Sequence, residues 1–210
     1  MNALIYDIEI EKAIADKKNP PVGGIEYCKG WGDHAGMGIS FIGAYDYQED
    51  RYRAFFKDNF ADFANLVSSR NPIVGFNNIG FDNKVLVNTS STASYLYACH
   101  IDTESIILRS YDILREIWRA AGLDPNKFNL HTHVGYGLDD CCKANFGIRK
   151  SGNGALAPVD FQRGKYGNVA DYCLNDVRMT KKLFDQIISH GYIIDPKDQN
   201  RILRLRRPGE

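Results

Sequence analysis

Asp7-Ile8-Glu9 sets two carboxylates one residue apart, at the end of the apolar run Ala3-Leu4-Ile5-Tyr6. The run reads as a buried strand, and in a strand the side chains at i and i+2 leave the same face. Two like charges held that close repel unless a cation lies between them, and hard divalent cations prefer carboxylate oxygen. The ordinary alternative is a solvated strand end with acids on its outer face, so the reading depends on further acids. Asp82 supplies one. It opens a helical stretch just after Ile73-Val74-Gly75-Phe76, a short buried strand, and ligand-binding residues of open α/β sheets gather at such strand ends. An isolated Asp there would merely favour the helix dipole. Tyr172 and Asp176 supply the rest, four residues apart in the longest helical pattern and so on one face. Asp185, farther along, has the look of a solvated helix acid. Four carboxylates from three separated segments can bind two divalent ions about 4 Å apart, an arrangement that clamps the attacking and leaving oxygens of phosphodiester hydrolysis. Mg2+ suits it, because that ion keeps waters and phosphate oxygens among its ligands, and Mn2+ is expected to substitute.

The elements that must position these groups alternate in type. After the first strand, residues 11–38 carry Pro20-Pro21, Gly23-Gly24 and scattered glycines and read as a long loop, with a short ordered piece around Ile25–Cys28. A loop of that length is usually functional or mobile, and Trp31 and His34 within it are candidates to touch a ligand. Gly38–Tyr45 and Arg51–Phe56 read as strands joined by a turn at Gln48-Glu49-Asp50, so the first three strands form an antiparallel meander. Helical spacing follows over Asp58–Ser69, with Asp58 the N-cap candidate, and again after Asn77-Asn78-Ile79-Gly80, through Val87. A strand is expected over 95–102, ending in Asp102. An amphipathic helix is expected over Ile106–Ala121, a short one over Leu138–Asn145, and an irregular stretch over Lys150–Gly167. The long helix spans Val169–His190, and late strands are expected at Tyr192–Ile194 and Ile202–Leu205. The whole predicts an α/β domain with a mixed sheet, an antiparallel three-strand meander plus parallel strands, flanked by helices.

Composition narrows the class. At 210 residues, 44% hydrophobic and 25% charged, the chain fits one globular domain over 1–210. Lys plus Arg and Asp plus Glu are both 26, so the overall charge carries no sign of nucleic acid or a membrane as partner. The last stretch, 195–210, is locally basic through Arg201, Arg204, Arg206 and Arg207. Five cysteines (Cys28, Cys99, Cys141, Cys142, Cys173) are odd in number and lack CxxC spacing, which fits reduced thiols in the cytoplasm of a bacterial or virus-infected cell. No membrane span or secretion signal is legible.

With these residues in place, the sequence resembles the DnaQ-like 3′–5′ exonucleases of the ribonuclease H-like fold, in the DEDDy branch. That branch includes the proofreading domains of family A and family B DNA polymerases. The motifs stand as Tyr6-Asp7-Ile8-Glu9-Ile10, Gly75-Phe76-Asn77-Asn78-Ile79-Gly80-Phe81-Asp82 and Tyr172-Cys173-Leu174-Asn175-Asp176-Val177. The second and third read like the family B type, and the likeness spans nearly the whole chain. Tyr172 four residues before Asp176 selects the Tyr branch; the His branch needs a His where Asp171 stands. The resemblance implies that Asp7, Glu9, Asp82 and Asp176 are metal ligands. One ion would rest on Asp7, Glu9 and Asp176, the other on Asp7 and, through water, Asp82. Tyr172 would orient the attacking water, since an unperturbed Tyr pKa of about 10 makes a poor general base at neutral pH. Phe81 and the backbone around Ile8 to Ile10 would contact the terminal nucleotide. Asn77 matches the family B spacing of the expected Asn and Asn78 the family A spacing, so both stay open.

The implied activity is stepwise hydrolysis of single-stranded DNA from a free 3′ end, releasing nucleoside monophosphates. The chain carries no polymerase palm motif and is too short for one, so the expectation is a stand-alone exonuclease or an excised domain, with an insertion at 11–38. Two alternatives stay open: an exoribonuclease acting on RNA ends, since the same motifs serve both, and a binding module with a vestigial site. His131, His133, Cys141 and Cys142 fit no common zinc spacing. Asp139 and Asp140 read as helix-start acids, Asp102 as a supporting acid or a cap, and the Arg-rich tail as a solvated terminus or a track for nucleic-acid backbone.

Overall fold

The computed structural model describes residues 1–15, 21–92 and 103–210. The first strand, β1, runs over Leu4–Glu9; the two-residue strands β2 (Ala13–Ile14) and β3 (Tyr27–Cys28) and the one-turn helix α1 (His34–Met37) follow. Then come β4 (Phe41–Asp46), β5 (Arg51–Phe55), α2 (Phe60–Ser69), β6 (Ile73–Gly75) and α3 (Asp82–Thr92). The chain continues with α4 (Thr103–Arg109), β7 (Ser110–Asp112), α5 (Ile113–Ala120), α6 (Leu138–Phe146), α7 (Ala157–Gln162) and α8 (Tyr166–His190). A hairpin closes it, β8 (Tyr192–Asp195) and β9 (Asp198–Arg204).

Five strands form one mixed sheet in the order β5-β4-β1-β6-β7. β1 pairs antiparallel with β4 and parallel with β6; β4–β5 is antiparallel and β6–β7 parallel. The expected meander and parallel strands are both present, and the helices flanking them give the α/β arrangement of a ribonuclease H-like fold. Along β1 the two-residue period splits the core. Leu4, Tyr6 and Ile8 pack towards α2 and α3, with Phe60, Phe63, Val85 and Leu86. Ala3 and Ile5 pack towards α5 and α8, with Ile113, Ile117, Val177 and Phe184. Asp7 and Glu9 continue this second series where its apolar residues give out.

One close approach sets how near α8 comes. Gly43 lies opposite Asp7 in the β1–β4 register. A Cβ at Gly43 would stand 3.0 Å from Cys173 Sγ and 3.3 Å from both Leu174 Cδ2 and Val177 Cγ2. Only a residue without a side chain lets the helix lie this close.

Several local expectations are corrected. The helix expected over Ile106–Ala121 is broken into α4, β7 and α5. Asp112 resets it: its side chain accepts from the N–H groups of Leu114 and Arg115 and so caps a new helix, while Tyr111 is buried against the core. A three-residue strand does not disturb helical periodicity enough to be seen. The stretch over Lys150–Gly167 is not irregular: a 3₁₀ turn at Gly154–Leu156 leads into α7, and α8 begins at Tyr166. The 11–38 loop holds the paired β2 and β3 and α1. The strand expected from Gly38 begins at Phe41, because Ser40 Oγ turns back to donate to the carbonyls of Glu9 and Ile10. At α2 the N-cap is Asn59, not Asp58, and its side chain accepts from the N–H of Phe56. The late strands form the β8–β9 hairpin. The basic tail is partly tied down there, with Arg201 paired to Asp195 at 3.7 Å and Arg207 Nε donating to the carbonyl of Ile188 at 3.0 Å. The strand expected over 95–102, with Asp102 and Cys99, lies outside the described residues.

Candidate active site

The acids of three segments meet at the C-terminal end of β1. Carboxylate oxygens of Asp7 and Glu9 and the Cys173 sulfur all lie within 4.8 Å of one another. Asp82, the first residue of α3, accepts a hydrogen bond through Oδ1 from the N–H of Ile8 at 3.2 Å. Asp176 comes from α8 and is 4% exposed; Glu9 and Asp82 are 6% and 5%. So much carboxylate in so little water is electrostatically costly. Burial pushes the Asp7 carboxyl well above its ordinary range, and the charges of Asp82 and Asp176 push it further. Glu9 is raised in the same way by burial, Asp7 and Asp176. Asp82 is pushed up to about 7 by burial, with backbone hydrogen bonds, including that from Ile8, pulling against it. Asp176 is raised by burial and held back by Lys150.

These residues fit a hard divalent cation. The converging donors are carboxylate oxygens, and Asp176 Oδ1 is buried with no hydrogen-bond partner among the described residues. The Cys173 thiol sits nearby, but burial raises its pKa well above the ordinary value and it donates to Asp7 Oδ2 at 3.4 Å. The carboxylate oxygens are the donors a hard cation prefers.

Lys150, which sequence reasoning passed over, sits among them. Its Nζ pairs with Asp176 Oδ2 and donates to the Tyr172 hydroxyl at 3.3 Å. Its pKa is raised, because the attraction of Asp176 outweighs the cost of burial. Asp139 holds the backbone beneath it, Oδ1 accepting from the N–H of Lys150 at 2.7 Å. An acid read as a helix-start residue thus anchors the lysine. The Tyr172 hydroxyl is pushed up to about 12 by burial and by Asp176. Gly152 and Gly154 lie against its ring: a Cβ on Gly154 would stand 3.1 Å from the hydroxyl.

A cleft of about 630 Å³ opens over the acids, lined by Asp7, Glu9, Asp82, Tyr172 and Asp176. Ile8, Ile10, Asn77 and Phe81 line it too. Asn78 does not; it is fully buried, and neither side-chain amide atom has a hydrogen-bond partner among the described residues. Asn77 adopts a left-handed φ of 69°, which Asn tolerates better than most residues. Asp112 secures that turn by accepting from the N–H groups of Asn77 and Ile79 at 3.0 and 3.2 Å. Nothing in the sequence singled out Asp112, because it lay inside an expected helix.

The zinc alternative is not assembled among the described residues. His131 is exposed, and the His133 ring accepts from the N–H of Asn129 at 3.2 Å and meets the Asp124 carbonyl at 2.9 Å. Cys141 and Cys142 are buried and donate to the carbonyls of Tyr136 and Met179. No described helix is long and apolar enough to cross a membrane.

No protein-family model and no curated protein sequence matches the chain. The fold does match solved structures. One is the family B DNA polymerase from the hyperthermophilic archaeon Pyrobaculum calidifontis, with a TM-score of 0.56 at 17% identity. The match covers 89% of this chain and 24% of the polymerase, so the chain spans about a quarter of that protein's length. At this identity the likeness is one of fold.

Proposed function

We propose that the chain is a 3′–5′ exonuclease that removes mononucleotides from the 3′ end of single-stranded DNA, using two divalent cations, Mg2+ or Mn2+. The observation that carries this reading is the convergence of Asp7, Glu9, Asp82 and Asp176 on one cleft, with one Asp176 oxygen left unmatched. A fold shared with a DNA polymerase favours DNA over RNA.

Asp7, Glu9 and Asp176 would hold one ion, and Asp7 with Asp82 the other. When bound, the ions supply charge neutralisation at the phosphate oxygens and acidify water. Tyr172 keeps its proton at neutral pH, given its pKa of about 12, so it orients the attacking water by hydrogen bonding and does not take its proton. Lys150 keeps Tyr172 and Asp176 in fixed relation. Phe81 offers an apolar surface to the terminal nucleotide, and Asn77 and the backbone of Ile8 to Ile10 line the same path. Water adds to phosphorus as the bond to the 3′ oxygen of the preceding nucleotide breaks. A nucleoside monophosphate leaves.

The test uses end-labelled single-stranded DNA, matched RNA and duplex DNA, each with Mg2+, Mn2+ or EDTA. Stepwise shortening from the 3′ end, stopped by EDTA and abolished in Asp7→Ala, supports the reading. Cleavage persisting in Asp7→Ala overturns it, and a marked preference for RNA replaces DNA as the substrate.

A further inference from the structure

Trp31 is 71% exposed, an unusual setting for the largest apolar side chain. Its position is built. Asp33 accepts from the N–H of Lys29 at 2.9 Å and from that of Gly36 at 3.2 Å, and its own N–H donates to the Gly30 carbonyl at 3.0 Å. Cys28 and Met37, on either side of this turn, are buried in the core. The insertion is also tied to α7. From the end of α7, Gln162 Oε1 accepts from the N–H of Glu26 at 2.6 Å. Its Nε2 donates to the carbonyls of Glu11 and Glu26 at 2.8 and 3.1 Å. The held ring lines the same cleft as the carboxylates, beside Ile14, and meets Phe81 edge-on at 6.1 Å between centroids. His34 approaches Phe81 from the same segment at 6.4 Å.

We propose that Trp31 stacks on an unpaired base at the 3′ end of the strand, so that the insertion serves as a base platform beside Phe81. This rests on the exonuclease reading and adds a binding element to it. The acids repel a polyanion, so affinity in this cleft has to come from cations at the phosphate and from apolar surface at the base. An exposed indole on a hydrogen-bonded turn, edge-on to Phe81, supplies the second. Stacking on an aromatic ring accepts any base, because every base has a π-face. A paired terminus keeps its bases stacked within the duplex, so the platform favours single strands.

Two measurements test this. In Tyr172→Phe, which keeps the metal ligands and is expected to cut slowly, a single-stranded oligonucleotide quenches the fluorescence of Trp31 within the time before cleavage, and Trp31→Phe removes the change. The other tryptophan, Trp118, is 8% exposed and serves as an internal reference. An oligonucleotide abasic at its last two 3′ positions quenches weakly. In the otherwise unaltered chain, Trp31→Ala raises KM for single-stranded DNA about 10- to 100-fold, with kcat within about twofold, and Trp31→Phe restores most of the loss. Equal quenching by abasic and normal ends overturns the platform, as does an unchanged KM or a loss confined to kcat. Absence of cleavage by the wild-type chain overturns the exonuclease reading alone, since the quenching experiment needs no turnover.

Discussion

The N–H of Ile8, between Asp7 and Glu9, donates to Asp82 Oδ1 at 3.2 Å. One hydrogen bond therefore ties the acid of α3 to the strand that carries Asp7 and Glu9. An amide can make the same bond; a methyl group cannot. Asp82→Asn should leave a folded chain with at least a 100-fold lower cleavage rate, the scale of losing a preorganised electrostatic group. Asp82→Ala should lose activity and also melt lower than Asp82→Asn, by about 1–3 kcal/mol for an orphaned buried N–H. Thermal denaturation in EDTA measures the difference; equal stabilities would remove the structural role of this bond.

Divalent cations should stabilise the fold, because they relieve the repulsion among the acids. At about 100 times its dissociation constant a ligand adds about 2.7 kcal/mol. Mg2+ or Mn2+ should raise the melting temperature of the wild-type chain and shift Asp7→Ala much less. An equal shift in both would place the binding elsewhere.

Lys150 links Asp176 to Tyr172 without lying on the strand or helix that carries the acids. Lys150→Met should slow single-turnover cleavage about 100-fold, again on the scale of one lost electrostatic donor. Binding of single-stranded DNA to the same variant should change little. A variant that cuts normally would leave the lysine a purely structural partner.

Tyr172→Phe should lower the rate by about 10- to 1000-fold, around the range for a group that assists proton transfer, while metal-dependent thermal shifts persist. An unchanged rate would take the hydroxyl out of the mechanism.

Far from the cleft, Arg70 grips Asp46 with two hydrogen bonds of 2.9 Å, Nε to Oδ1 and Nη2 to Oδ2, and both side chains are buried. The guanidinium holds the Asp46 carboxyl below its usual range. In the unfolded chain the group titrates at about 3.9, so the stabilisation is complete above that pH and is lost as pH falls through the lower folded value. Arg70→Met should cost about 3 kcal/mol at pH 7 by leaving a buried carboxylate with a weakened partner set. Denaturant titrations from pH 7 down to 2 should show that gap narrowing in acid.

What could be read beforehand followed periodicity. A strand period of two put Asp7 and Glu9 on one face, and a helical spacing of four did the same for Tyr172 and Asp176; both relations are local. Asp82 could be placed at a helix start, but its bond to Ile8 spans 74 residues and has no sequence signal. Lys150 was invisible for a related reason: it sits before a glycine-rich stretch without a period, and its acid lies 26 residues on. β7 was hidden because Ser110–Asp112 is too short to interrupt the apolar rhythm of the helices on either side. Trp31 was visible as an aromatic in a loop, while its meeting with Phe81, 50 residues on, and the tie from Gln162 to Glu26, 136 residues apart, have no local signal.

Gly43 lies where β4 meets the helix that carries Asp176. The strand's acids and the helix's acid sit on separate bodies, and the gap between those bodies is set at a position that touches no substrate path. A methyl group at residue 43 requires the side chains of Cys173, Leu174 and Val177 to give by a few tenths of an ångström, and where they are locked by packing α8 moves outward with them. Alanine and serine at this position would form a graded series in which every reacting group is retained and only the span between Asp7 and Asp176 is dialled. The slope of rate against that span would express, in ångströms, how much misfit the chemistry tolerates.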